Sequence, residues 1–433
     1  MTAHKSEASL PARRAGIICL LGLLAALCCL SLVEVSKRLD YIPFHQERLL
    51  EAIAVVTVFS CAAIALFAAA RFSFGFASAL SLFVMMAGFL WINTFSRYPY
   101  DHQLARFSAM ASFLVFLPLA IVSPARPKPG FELSERALGR LLLCIEALAL
   151  ITLLVASRYN FRLVSLERIY DFRQDIDFPA PLRYAIGIML SALLPFAFAS
   201  HLERRQPKRA ALALLLMLAL FPITLSKLAL FAPALLLWLL ILVSLFEARI
   251  ALILSLLLPL AVGLVLANLD LPGQAGLSEG FFKVINIRMF AIQSSALDIY
   301  NSFFSTHPHT YFCQISFLRP VMGCPYDVPL SVVMQNTYSM GYMNSSMFAT
   351  EGIASVGLWW APISALACGG VFAVANYASS GLPPRLVLLS SGLMPQILTN
   401  VPLTTSLLTH GLVILIALWS VTPRLIGGKQ QNA

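Results

Sequence analysis

Phe72–Ser96 reads FSFGFASALSLFVMMAGFLWINTFS and holds no Asp, Glu, Lys or Arg. A run of about 20 apolar residues is what a helix needs to cross about 30 Å of hydrocarbon. The pattern recurs outward in both directions. Ala15–Val33, Ala52–Ala70, Phe107–Ala125, Tyr184–Ser200, Ala210–Ser226, Leu228–Phe246 and Ile250–Leu269 are equally free of charge. Leu138–Ser157 is interrupted by Arg140 and Glu146, and Gly352–Pro384 holds another run. Leu386–Thr422 is long enough for two, divided at Asn400-Val401-Pro402. Hydrocarbon offers no partner to backbone N–H and C=O groups, so such runs are helices. The expected fold is all-α: a polytopic integral membrane protein of about twelve transmembrane helices in a single membrane domain.

Composition agrees. The chain of 433 residues is 59% hydrophobic and 12% charged, with a mean hydropathy of +0.82. Soluble domains carry about a quarter charged residues. No internal repeat, low-complexity tract or separate soluble domain is visible. The first span follows Lys5, Arg13 and Arg14; its length and the lack of a clear cleavage site read as an uncleaved signal-anchor.

With a cytoplasmic N-terminus, twelve spans put the C-terminus on the same side. That side then holds the basic clusters ARPKPG and ERRQPKR, as the positive-inside rule asks. Sixteen of the 30 Lys and Arg residues fall inside and fourteen outside; about fourteen acids lie outside against five inside. The outer basic residues concentrate in Ser157–Arg183 and in the long segment Asp270–Thr350. They either pair with Glu167, Asp171, Asp175 and Asp177 on an interfacial helix or form an anion site, for which guanidinium forks suit phosphates.

Motifs of soluble enzymes are missing: there is no P-loop, dinucleotide fingerprint, HExxH or paired CxxC. His307-x-His309, in HPHTYF, lacks further ligands for a metal. Polar residues at span ends are more informative. Ser226-Lys227 sits in LFPITLSKLALF, where Lys227 either snorkels to the interface or faces a site. Arg288 lies in FFKVINIRMFAIQ. Asn344 and Glu351 lie in MNSSMFATEGIASVGLWW, with Glu351 placed either to cap a helix N-terminus or to act in a site. Glu146 is inside a span, where a carboxylate is a functional candidate or a structural hydrogen-bond partner.

About twelve spans, Ser-Lys at a span start, Arg288 after the next span, a long outer loop and Asn344…Glu351…Gly357 closing it resemble a bacterial oligosaccharide repeat unit polymerase. Such Wzy-type enzymes belong to the O-antigen polymerase and ligase group. Hydropathy matches over nearly the whole chain; the motifs cover mainly Leu225–Leu358, above all HPHTYFCQISFLRPVMGCPYD and MNSSMFATEGIASVG. Members commonly carry Ser-Arg where this chain has Ser226-Lys227, and ligases show His-Asn where it has Met343-Asn344. The second departure favours polymerase over ligase.

The resemblance implies a metal-independent, cofactor-free membrane glycosyltransferase in the bacterial inner membrane, with both termini cytoplasmic. It would join undecaprenyl-diphosphate-linked oligosaccharides at the periplasmic face, with a lipid-linked oligosaccharide as substrate, the bilayer and a chain-length regulator as partners, and no nucleic acid. The alternatives are an O-antigen ligase and a non-enzymatic polysaccharide or lipid transporter. The periplasmic loops would be about 270–350, containing short helices, and about 157–183. Arg288, Arg319 and Lys227 would carry charge for the diphosphate, and Glu351, His309 or His307 would take the proton. Asn344 would contact substrate. Tyr311, Phe312, Tyr326, Tyr338 and Tyr342 offer faces to sugars or form an interface belt. Six cysteines lie in spans as small apolar residues, leaving Cys313 and Cys324 in the outer loop. They either bridge in the oxidising periplasm or pack apart as thiols.

Overall fold

The computed structural model describes residues 9–124, 132–164, 172, 176–269, 275–315, 318–343 and 345–424. Ten helices among them are long and apolar enough to cross a membrane. They are α1 (Arg13–Ser36), α2 (Gln46–Ala69), α3 (Phe74–Phe95), α4 (His102–Ile121), α5 (Glu135–Ser157), α6 (Ala180–Glu203), α7 (Pro207–Thr224), α8 (Lys227–Leu245), α9 (Ala248–Asn268) and α12 (Phe348–Ser379). Between α9 and α12 lie a helical run, α10 (Ala275–Phe282, Lys283–Ala291 and Ile292–Phe304), and the short α11 (Leu330–Tyr338).

The opening stretch of the sequence is the centre of the molecule. Every residue of α3 is buried. Its phenylalanines interlock with neighbours: Phe83 packs on Phe59 and Phe67, and Phe74 on Phe372 and Trp419. Gly88 is where α3 and α10 meet, since a Cβ there would come within 2.3 Å of Ser294 Oγ. That hydroxyl donates to the Met85 carbonyl of α3.

Hydrogen bonds define two ends of the bundle. At the base, Asn376 of α12 joins Gly75 N and Ala120 O, and Arg249 donates to Ala70 O. At the loop end, Arg48 donates to Thr94 O, and Asn160 to Ile223 O. Successive spans alternate between these ends.

Two expectations need correction. Residues 270–350 are not one outer loop: α10 packs inside the bundle on α1, α3, α9 and α12, because its Asn286, Ser294 and Asp298 find polar partners there. The region beyond Leu386 is not two intact spans. It forms α13 (Pro384–Ser390), α14 (Met394–Asn400), α15 (Leu403–Leu408) and α16 (Leu412–Val421). The division at Val401-Pro402 is present, since Pro402 cannot continue a helix. A second break follows at His410-Gly411, where Gly411 takes φ +71°.

Candidate functional site

Among the described residues three segments wind as π-helix: Met189–Leu193, Lys283–Ala291 and Phe348–Ala354. Such turns are rare and concentrate at functional sites. The third carries Glu351 and is followed, three residues after its end, by a sharp break at Gly357, with φ +73° and ψ +174°. Only glycine adopts that backbone without strain.

HPHTYF is laid across this break. Thr310 N donates to Ala354 O at 2.8 Å and Tyr311 N to Ser355 O at 3.1 Å. Gln314 Nε2 donates to Thr350 O and Ser355 Oγ, so side chains satisfy carbonyls and hydroxyls that the broken helix leaves open. Tyr311 and Phe312 both take positive φ, +46° and +67°, a strained pair for non-glycine residues. The result holds His309 on Gly357: a Cβ there would sit 2.8 Å from Nε2. The ring is partly exposed, while its Nδ1 is buried with no hydrogen-bond partner among the described residues. Burial lowers the His309 pKa below its ordinary 6.5, which favours the neutral, proton-accepting ring.

Glu351 lies one π-turn away and is 5% exposed. One carboxylate oxygen accepts from Thr350 Oγ1 at 2.6 Å; the other accepts from Thr404 N and Oγ1 at 3.2 and 3.3 Å. Its acceptors are already engaged, which suits tying α15 to the π-turn rather than meeting a substrate hydroxyl.

The aromatics surround the loop. His307 stacks on Phe303 at 3.9 Å, and Tyr326 donates to Pro308 O while packing on Phe303 and Phe304. Tyr338 donates to Ser302 Oγ and meets Tyr98 edge to face. Tyr311 and Tyr342 stand 61% and 65% exposed. Cys313 and Cys324 are disulfide-bonded with Cα atoms 5.4 Å apart. Arg319, in the closed loop, is exposed and donates to Asp327 O.

The remaining candidates lie elsewhere or face outward. Arg288 is exposed on the second π-segment and makes no ion pair or hydrogen bond among the described residues. Lys227 is half-buried at the α7–α8 junction, where Leu225 takes φ +47° and Asn160 and Arg162 hold Ile223 O and Pro222 O. Asn344 lies outside the described residues, as do Glu167, Asp171 and Asp175. Glu146 meets His201 across α5 and α6, Oε1 to Nε2 2.7 Å, an ion-pair distance without hydrogen-bond alignment.

No protein-family model, curated protein or solved structure matches this chain.

Sequence reasoning missed Asp298. Its carboxylate accepts from Ser96 Oγ at 2.9 Å and from the Tyr100 hydroxyl. Tyr100 accepts from Asn93, Asn93 accepts from Arg106, and Arg106 pairs with Glu51. This chain ties α2, α3 and α4 to α10. Its signal was an acid inside FAIQSSALDIYNSFF, a stretch whose polarity hides that it packs inside the bundle. Among the described residues no cluster of His, Cys, Asp and Glu has a metal-binding arrangement.

Proposed function

We propose that the protein polymerises polyprenyl-diphosphate-linked oligosaccharide repeat units at the periplasmic face of a bacterial inner membrane. The supporting observation is that the two stretches carrying the resemblance, around His309 and around Glu351, form one hydrogen-bonded unit at the loop end of a membrane bundle.

In this reading a hydroxyl of one lipid-linked unit attacks the anomeric carbon of another. A glycosidic C–O bond forms, the anomeric C–O bond to the diphosphate breaks, and polyprenyl diphosphate leaves with the electron pair. His309 accepts the hydroxyl proton through Nε2, its neutral state favoured by partial burial. Glu351 acts through position, holding the π-turn that leads into the Gly357 break on which His309 rests. Arg288 and Lys227 neutralise the diphosphate. Tyr311 and Tyr342 offer exposed faces to sugar rings. No repeated half is visible in the sequence, as many transporters would show.

The test is reconstitution in vesicles loaded with lipid-linked repeat units. Lengthened glycan supports the polymerase; movement of unlengthened lipid across the bilayer would identify a transporter instead.

A further inference from the structure

The broken C-terminal hairpin does not reach the loop end as a regular span. Leu412–Val421 has 10 residues, about 15 Å at 1.5 Å per residue. Val421 is anchored at the base, its carbonyl accepting from Leu133 N just before α5. Gly411 therefore lies near the middle of a hydrocarbon layer about 30 Å thick. Its packing agrees. Cβ atoms on Gly411 and Gly187 would meet Ile188 and Ala192, and the Thr409 carbonyl, in the interior of α6, and Ser191 Oγ lies 3.1 Å from His410 Nδ1.

Irregular backbone at this depth is tolerated only when buried in protein or lining a water-filled cavity. The tip is not fully buried: Asn400, Thr404, Thr405, Thr409 and His410 are all partly exposed. Thr94, Thr152 and Thr224, on helices, donate to the carbonyl four residues back. Thr57 is an exposed exception on an intact helix. The Thr405 and Thr409 hydroxyls find no partner among the described residues, yet neither is sealed from solvent. A polar tip is thus held open at mid-membrane, and Thr404 joins it directly to Glu351.

What fills it follows from charge. Residues 386–423 contain no Lys or Arg, and none with Asp or Glu either. A diphosphate at that depth would lack a counter-cation, a costly arrangement. Hydroxyls, an amide and a half-open imidazole suit a neutral group rich in hydroxyls, able to donate and accept.

We infer that Asn400–His410 lines a water-filled cleft, open toward the loop end, that receives the glycan portion of the lipid-linked substrate below the His309 site. The substrate class rests on the reading above; the cleft does not. The experiment places Thr405→Cys and, separately, Thr409→Cys in the full chain in membranes and treats them with a membrane-impermeant thiol reagent. Mass spectrometry locates the label, so native cysteines need not be removed. Both positions are expected to react within tenfold of Tyr342→Cys, an exposed loop position, and at least tenfold faster than Val413→Cys on the intact α16. Rates matching Val413→Cys overturn the cleft.

Two additions then test the occupant without requiring turnover. A polyprenyl-diphosphate-linked oligosaccharide, extracted from cells making the protein, is expected to slow labelling at least fivefold, whereas bare polyprenyl diphosphate leaves it unchanged. Equal protection by both, or by neither, overturns the glycan as occupant. Protection by the glycan-bearing lipid alone, in a protein that fails to lengthen it, leaves the cleft standing and removes only the polymerase reading.

Discussion

Gly357→Ala is the sharpest perturbation available, because it strikes the contact on which the site is built. The backbone at φ +73°, ψ +174° belongs to a region populated almost only by glycine. Forcing another residue there costs about 1–3 kcal/mol. The new Cβ would also sit 2.8 Å from His309 Nε2 and 3.2 Å from Cε1, closer than van der Waals contact allows. Either the helix straightens or the imidazole is pushed off its seat. If the strain is relieved by displacing His309, the competent arrangement loses the same free energy, about 5- to 150-fold in population at tenfold per 1.4 kcal/mol. Glycan lengthening should fall by that factor while membrane insertion is unchanged. The assay is lengthening by purified protein, normalised to folded protein by thermal melting in detergent. Full activity at unchanged stability would refute the reasoning, since His309 would then not depend on the glycine beneath it.

Four further outcomes follow. His309→Gln should remove the acidic limb of the pH–activity profile. The wild-type ring, its pKa lowered by burial, keeps its base form down to below 6.5 and loses activity as pH falls further. By linkage the same depressed pKa favours the folded state above the unfolded imidazole value, a contribution lost as pH drops through the folded one; a profile unchanged by the substitution would exclude His309 as the base. Glu351→Gln should lower the melting temperature, because an amide N–H₂ must replace an acceptor facing Thr350 or Thr404, at about 1–3 kcal/mol. Cys313→Ser with Cys324→Ser should cost about 3 kcal/mol of stability by loop-closure entropy, seen as faster proteolysis within residues 305–343. Arg288→Ala should leave stability within about 0.5 kcal/mol, having no partner to lose, while abolishing lengthening.

The membrane fold was legible because charge-free runs such as Phe72–Ser96 have one physical solution in hydrocarbon. Sequence could not rank the spans, and α3 proved central because Gly75 and Gly88 let Ala120 and Ser294 approach its backbone closely. Polarity misled in Ala275–Phe304, which reads as loop although Asn286, Ser294 and Asp298 find partners inside the bundle. Apolarity misled in Leu386–Thr422, where Gly411 adds a break beyond the expected one at Pro402. Of the site, HPHTYF and the Glu351 stretch were visible as polar islands at span ends. Their contact was not, for it depends on Gly357 and two left-handed residues, Tyr311 and Phe312, that no periodicity announces. Glu351 reads as a helix cap or a site carboxylate, and its hold on Thr404, 53 residues away, has no signal in the sequence.

The central claim is transfer of glycan between two lipid-linked units, and its most direct measurement is stoichiometric. Purified protein is given donor and acceptor units bearing different labels on sugar and lipid. One polyprenyl diphosphate should be released for each new glycosidic linkage, with both labels joined in a single product and the release slowed about 10²- to 10⁴-fold in His309→Gln. Linkage-free release, or no joined product at all from folded wild-type protein, would contradict it.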